Sequence, residues 1–178
     1  MSRIGKNIIL GLSVSTLLFA STARYGFSLS KDHDRNISAF HLSQSMKGKI
    51  QSETVGMNCN GIIRYSMNLT DELLTFTRYN DVHNGKANCI GYAQVGASIC
   101  NYAMQGNGYK YKAKPVVGYV HLFGINLCKV GNIIAPKKYK NFIKDHDFVE
   151  IKIEDNTIYF DPSLYDYFID CTTCKKSI

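Results

Sequence analysis

Between Asn88 and Phe160 the hydrophobic pattern changes period, from that of a helix to that of strands, and this narrows the architectures open to the chain. Ile90, Ala93, Ala97, Cys100 and Met104 recur at steps of three and four, which predicts one amphipathic helix. Asn88 stands directly before it as an N-cap, and Gln105-Gly-Asn-Gly closes it. Gly91 and Gly96 lack side chains, which predicts close packing by a neighbouring strand. Residues 115–127 are rich in Val, Tyr, Leu, Phe and Ile and read as strand. Residues 148–153 alternate, with Val149, Ile151 and Ile153 on one side and Glu150 and Lys152 on the other. Glu154-Asp-Asn turns the chain, residues 157–160 return as a partner strand, and Asp161-Pro162 ends it because proline has no N–H for a ladder. Upstream, residues 59–68 suggest a short strand. Residues 69–79 suggest a helix capped by Thr70, with Asp71 and Glu72 in its first turn. Helices first and an antiparallel sheet after them predict an α+β fold, with N-terminal helices packed on the sheet.

The N-terminus differs in kind from the rest. Arg3 and Lys6 precede an uncharged apolar run from Ile8 to Ala20, and Ser21-Thr-Ala offers small residues at a cleavage position. This is the layout of a secretory signal peptide over residues 1–23, with membrane anchoring through residues 8–23 as the other outcome. It predicts a secreted, periplasmic or cell-envelope protein. Residues 24–56 are polar and mixed and read as a leader or short helix before a domain at 57–178. The formal charge is +7 and stays positive without residues 1–23, which carry two bases and no acid. The bases are scattered, with small clusters at Lys137-Lys138-Lys140 and Lys175-Lys176, and no nucleic-acid-binding module accompanies them. No nucleic-acid partner is expected.

Three residues suggest chemistry. Cys89 falls in the first turn of the predicted helix, where partial positive charge and unpaired N–H groups favour a thiolate and can hold an oxyanion. His146 opens the 148–153 strand and Asp161 closes its return. A two-residue turn at Glu154-Asp155 sets Asp161 opposite Phe148 and makes it a diagonal neighbour of His146. A turn at Asp155-Asn156 sets it opposite Glu150. Either register leaves both groups on one face, where the carboxylate would fix the imidazole tautomer.

Asn88-Cys-Ile-Gly-Tyr-Ala, the His146 strand Phe-Val-Glu-Ile-Lys-Ile, Tyr-Phe-Asp-Pro-Ser and the Gly-Tyr-Val at 118–120 together resemble the transglutaminase-like superfamily. The resemblance covers about residues 69–165. It implies a papain-like cysteine fold with Cys89, His146 and Asp161 as catalytic triad. It also implies acyl transfer on protein or peptide amides through a thioester, resolved by water or an amine. The Cys89 N–H would be one oxyanion donor, with a second from the 79–88 loop. The chain differs from the family's usual pattern in having Phe148 where a Trp is common, and in a long stretch between Tyr119 and His146 with an added Pro136-Lys-Lys. A non-catalytic binding module that keeps the fold is the competing reading.

No cofactor or metal is expected. Cys171-Thr-Thr-Cys174 has only four residues after it and no second pair for zinc, so a structural disulfide or free thiols are expected there. Cys100 follows Cys89 by eleven residues. At 1.5 Å per residue that is ~16 Å, beyond disulfide reach, and Cys100 is expected in the core. His83 is placed to line the cleft, and His121 reads as structural.

Overall fold

The computed structural model describes residues 26–134, 145–165 and 172–176. The expected signal segment at 1–23 and the lysines at 137, 138 and 140 lie outside them. So does Cys171, and with it the expected pairing or freedom of the Cys171–Cys174 thiols.

Strand β1 (Phe27–Asp34) leads to helices α1 (Gln44–Thr54) and α2 (Cys59–Leu73). A two-stranded parallel pair, β2 (Thr75–Phe76) and β3 (Lys86–Ala87), flanks a 3-10 turn at Val82–Asn84. Helix α3 (Cys89–Gly106) follows, then β4 (Ala113–Leu122), β5 (Ile125–Asn126) and α4 (Leu127–Ile134). Strands β6 (His146–Ile153) and β7 (Asn156–Phe160), the short helix α5 (Pro162–Tyr165) and β8 (Thr172–Lys176) complete the order. The main sheet runs β1-β4-β6-β7-β8, antiparallel throughout, with β5 added to β4. The class is α+β.

The sheet has two differently covered faces. Val149, Ile151 and Phe160 face α3 and join Ala93, Ala97, Cys100 and Met104 of its predicted stripe in the main core. On the other face Leu29, Val116, Val120, Phe148 and Tyr159 form a second cluster, with Phe148 and Tyr159 edge to face at 5.5 Å. Buried Glu150, also on that face, is paired with Lys31 and Lys114.

Three expectations need correction. The 24–56 segment does not precede the core. It supplies β1, whose Leu29 is 1% exposed, and α1, whose Ile50 is fully buried. Its polar letters concealed this because Lys31 and Asp34 serve the ion pairs around Glu150 and Lys114. The α+β order therefore begins with a strand. Residues 59–68 are not a strand but the first part of α2, capped by Asn58, whose Oδ1 accepts from the Gly61 N–H at 2.8 Å. Thr70 is not a cap either. It lies inside α2, and its hydroxyl donates to the Ser66 carbonyl at 2.6 Å while Ser66 donates to Ile62 at 2.8 Å. These back-bonds let two polar residues join the buried stripe of Ile62, Ile63, Met67 and Leu69, so the helical period was not visible as hydrophobicity. Gly91 and Gly96 do permit close packing, at Gly91 by strand β3 and the loop before it and at Gly96 by Pro162 of α5. A Cβ on Gly91 would meet Ala87 Cβ at 2.7 Å, and one on Gly96 would meet Pro162 Cγ at 2.7 Å.

Candidate active site

Helix α3 begins at Cys89, and Asn88 caps it: its Oδ1 accepts from the Ile90 and Gly91 N–H groups at 3.1 and 3.4 Å. Cys89 thus occupies the first helical position, half-buried, where its own N–H has no intrahelical carbonyl to bond.

His146 starts β6 opposite Gly118 of β4. The β6–β7 turn is Glu154-Asp155, since Ile153 pairs with Asn156 and Val149 with Phe160. Of the two registers open from the sequence, this one sets Asp161 diagonal to His146. The two side chains meet, with His146 Nε2 at 2.5 Å from Asp161 Oδ2. Asp161 is fully buried, and its other oxygen, Oδ1, accepts from Ser163 N at 2.9 Å, Ser163 Oγ at 2.7 Å and Leu164 N at 3.2 Å. One carboxylate therefore caps α5 and orients the imidazole. The His146 side chain keeps 17% exposure while Asp161 behind it has none, so the ring alone faces the cleft.

Burial disfavours a charged His146, but the Asp161 charge and hydrogen bond outweigh it, with smaller help from Cys89. The net effect lifts the His146 pKa well above the ordinary value. The Cys89 sulfur lies 3.8 Å from Oδ2 of Asp147, the residue next to His146, which brings the thiol to the imidazole's end of β6. With Nε2 held by Asp161, Nδ1 is the nitrogen left for the sulfur. Cys89, His146 and Asp161, proposed as a set from the sequence, are brought together.

Two site residues escaped the sequence reading. Asp147, buried beside His146 in β6, accepts from the Cys89 thiol through Oδ2 at 3.8 Å. Arg35 binds the same carboxylate with two prongs, Nε to Oδ1 at 2.5 Å and Nη2 to Oδ2 at 2.8 Å. The bonds to Asp147 raise the Arg35 pKa, and the charges of Asp145 and Cys89 act the same way. Nothing in the pattern marked Arg35, because a lone base in a polar segment has no period. Asp147 did carry a signal: in an alternating strand it shares a face with Val149 and Ile151, so it had to be buried.

Exposed His83 packs its ring against Phe40, with centroids 6.0 Å apart. His121 Nε2 lies 2.7 Å from Ser30 Oγ, a link between β4 and β1. Cys100 is fully buried, its thiol pushed up to about 12 by burial. Cys59, Cys89, Cys100 and Cys128 are free thiols. Among the described residues no group of His, Cys, Asp and Glu could hold a metal ion. No described helix is long and apolar enough to cross a membrane. An apolar cavity of about 240 Å³ adjoins His146, lined by Phe27, Val120, Leu127, Cys128 and Leu164 together with Asp145.

Compared with protein-family models, curated proteins and solved structures, the chain finds no match.

Proposed function

We propose that this chain is a cysteine acyl-transfer enzyme of the transglutaminase-like, papain-like kind, acting on protein or peptide amides through Cys89, His146 and Asp161. The carrying observation is the buried Asp161 bonded to His146 Nε2 while Cys89, at a helix N-terminus, has its sulfur 3.8 Å from Asp147, the residue next to His146. That order of orienter, base and nucleophile is what acyl transfer needs.

In this reading the groups act in turn. The Cys89 proton passes to His146 Nδ1, and the sulfur attacks the amide carbonyl carbon. The Cys89 N–H, open at the first helical position, donates to the oxyanion. As the C–N bond breaks, His146 returns the proton to the departing amine, leaving a thioester on Cys89. Water or a second amine, deprotonated by His146, then attacks the thioester and restores the thiol. Asp161 keeps the ring turned and stabilises the imidazolium without taking the proton. The basic, apolar N-terminal segment suits export to the cell envelope or beyond. N-terminal sequencing of protein from a secreting host checks that point, with a new terminus expected near Arg24.

The test of the chemistry is trapping. Incubation with a peptide or protein mixture, acid quench and mass spectrometry should show an acyl adduct on Cys89. The adduct should be lost in Cys89→Ala and strongly reduced in His146→Ala. Alkylation of Cys89 no faster than that of Cys128, in a folded protein with no adduct, returns the chain to a non-catalytic scaffold.

A further inference from the structure

We infer that Arg35 is a positioning residue for the nucleophile: by clamping Asp147 it neutralises the carboxylate nearest the Cys89 sulfur and leaves His146 as the acceptor of the thiol proton. This rests on the reading of Cys89 and His146 as nucleophile and base.

The thiol faces two acceptors. One is the His146 ring, the other Asp147 Oδ2 at 3.8 Å. A carboxylate so close, with a side chain 3% exposed, disfavours a thiolate by like charge if it stands alone. It does not stand alone, because Arg35 Nη2 donates to the same Oδ2 that the thiol faces, and Nε holds Oδ1. The pair is neutral overall, and its guanidinium adds a cation near the sulfur. A guanidinium suits this duty because its planar fork matches a carboxylate and it does not titrate at working pH. Of the neighbouring carboxylates, Asp145 acts on Arg35 and Asp161 on His146.

Arg35 is also held firmly. Its N–H donates to the Pro115 carbonyl at 3.2 Å, directly after β1 ends against β4. Further on, Gln94 Nε2 donates to the Ser38 carbonyl at 2.8 Å and the Phe40 N–H to Ser98 Oγ at 2.9 Å, both on α3. The segment thus bridges from the sheet to the helix that carries Cys89. A mere staple at this point would serve stability only, whereas a charge clamp acts on the sulfur, and the two differ in sign.

The experiment follows the iodoacetamide rate of Cys89 in the full chain, by peptide mass spectrometry, from about pH 5 to about pH 10 across the thiol range. Arg35→Gln should move the midpoint up by about one pH unit, so that alkylation near neutral pH falls roughly tenfold. Asp147→Asn should move it down, because the guanidinium then faces the sulfur unopposed. The double variant should return close to the parent, and Arg35→Lys should lie between parent and Arg35→Gln. Midpoints that stay put, or move the same way in both single variants, overturn the proposal. If Arg35→Gln fails to fold by circular dichroism, Asp147→Asn and Arg35→Lys decide, and an unmoved midpoint in Asp147→Asn overturns it. His146→Ala separates the two claims. If that variant leaves Cys89 unchanged, the enzyme reading falls. If it slows Cys89 while Arg35→Gln has no effect, only the clamp falls.

Discussion

Replacing Asp161 by Asn tests the geometry of the site and its energetics together. The amide keeps an oxygen for Ser163 N, Ser163 Oγ and Leu164 N, so the α5 cap survives. What changes is the bond to His146. The Asn nitrogen donates to Nε2, which moves the ring proton to Nδ1, the position that accepts from Cys89 in the proposed mechanism. Turnover should fall by about 10²–10⁴-fold, the scale of a wrong tautomer in a triad. Stability should also fall. A hydrogen bond to a charged partner contributes about 1.5–3 kcal/mol, so a loss of ~2 kcal/mol is expected. That is roughly 4–8 °C in Tm for a chain of this size.

The loss should depend on pH in a set direction. The His146 pKa is raised in the folded state, chiefly by the Asp161 charge acting against burial. Its stabilisation is therefore complete below the unfolded histidine value of about 6.5 and is lost as pH rises through the raised folded value. Urea unfolding of parent and Asp161→Asn at successive pH values reads this directly. The difference should be largest near pH 6, by about the 2 kcal/mol above, and should shrink on the alkaline side. A difference that is flat in pH, or that grows as pH rises, would refute the coupling of His146 to Asp161. Asp161→Ala should cost more, about 3–5 kcal/mol, because the α5 N–H groups lose their acceptor as well.

Further expectations concern the surroundings. Gly118→Ala puts a Cβ 2.0 Å from the Ser30 carbonyl oxygen, so β1 must shift; about 1–3 kcal/mol of destabilisation is expected, with faster amide exchange in residues 27–34. Asn88→Ala removes the acceptor of the Ile90 and Gly91 N–H groups and should cost about 1 kcal/mol in denaturant unfolding. Cys100, buried with its thiol pushed up to about 12, should resist alkylation until the chain unfolds, and peptide mapping of a native and a urea-treated sample checks this.

The helix at 89–106 and the hairpin at 146–160 were legible because each buries one face against the other, and burial prints a period on the sequence. The α+β class followed from that change of period. Cys89, His146 and Asp161 were legible for a related reason: each sits at an element end that a cap, a turn or a proline marks. The sequence left two hairpin registers open, and hydrogen-bond pairing in the sheet selected the one with Glu154-Asp155 at the turn. Strand β1 and the start of α2 stayed hidden because their buried positions include polar residues whose partners are remote or lie one turn back. Arg35 and Asp147 are 112 residues apart, and Asp147 stands 58 from Cys89. No local pattern records such a meeting, because charge complementarity at long separation exists only after the sheet has paired β1, β4 and β6 and laid α3 across them. Local pattern marks the helix at 89–106, the hairpin at 146–160 and the residues that end them, while the surroundings of the sulfur exist only once remote strands have paired.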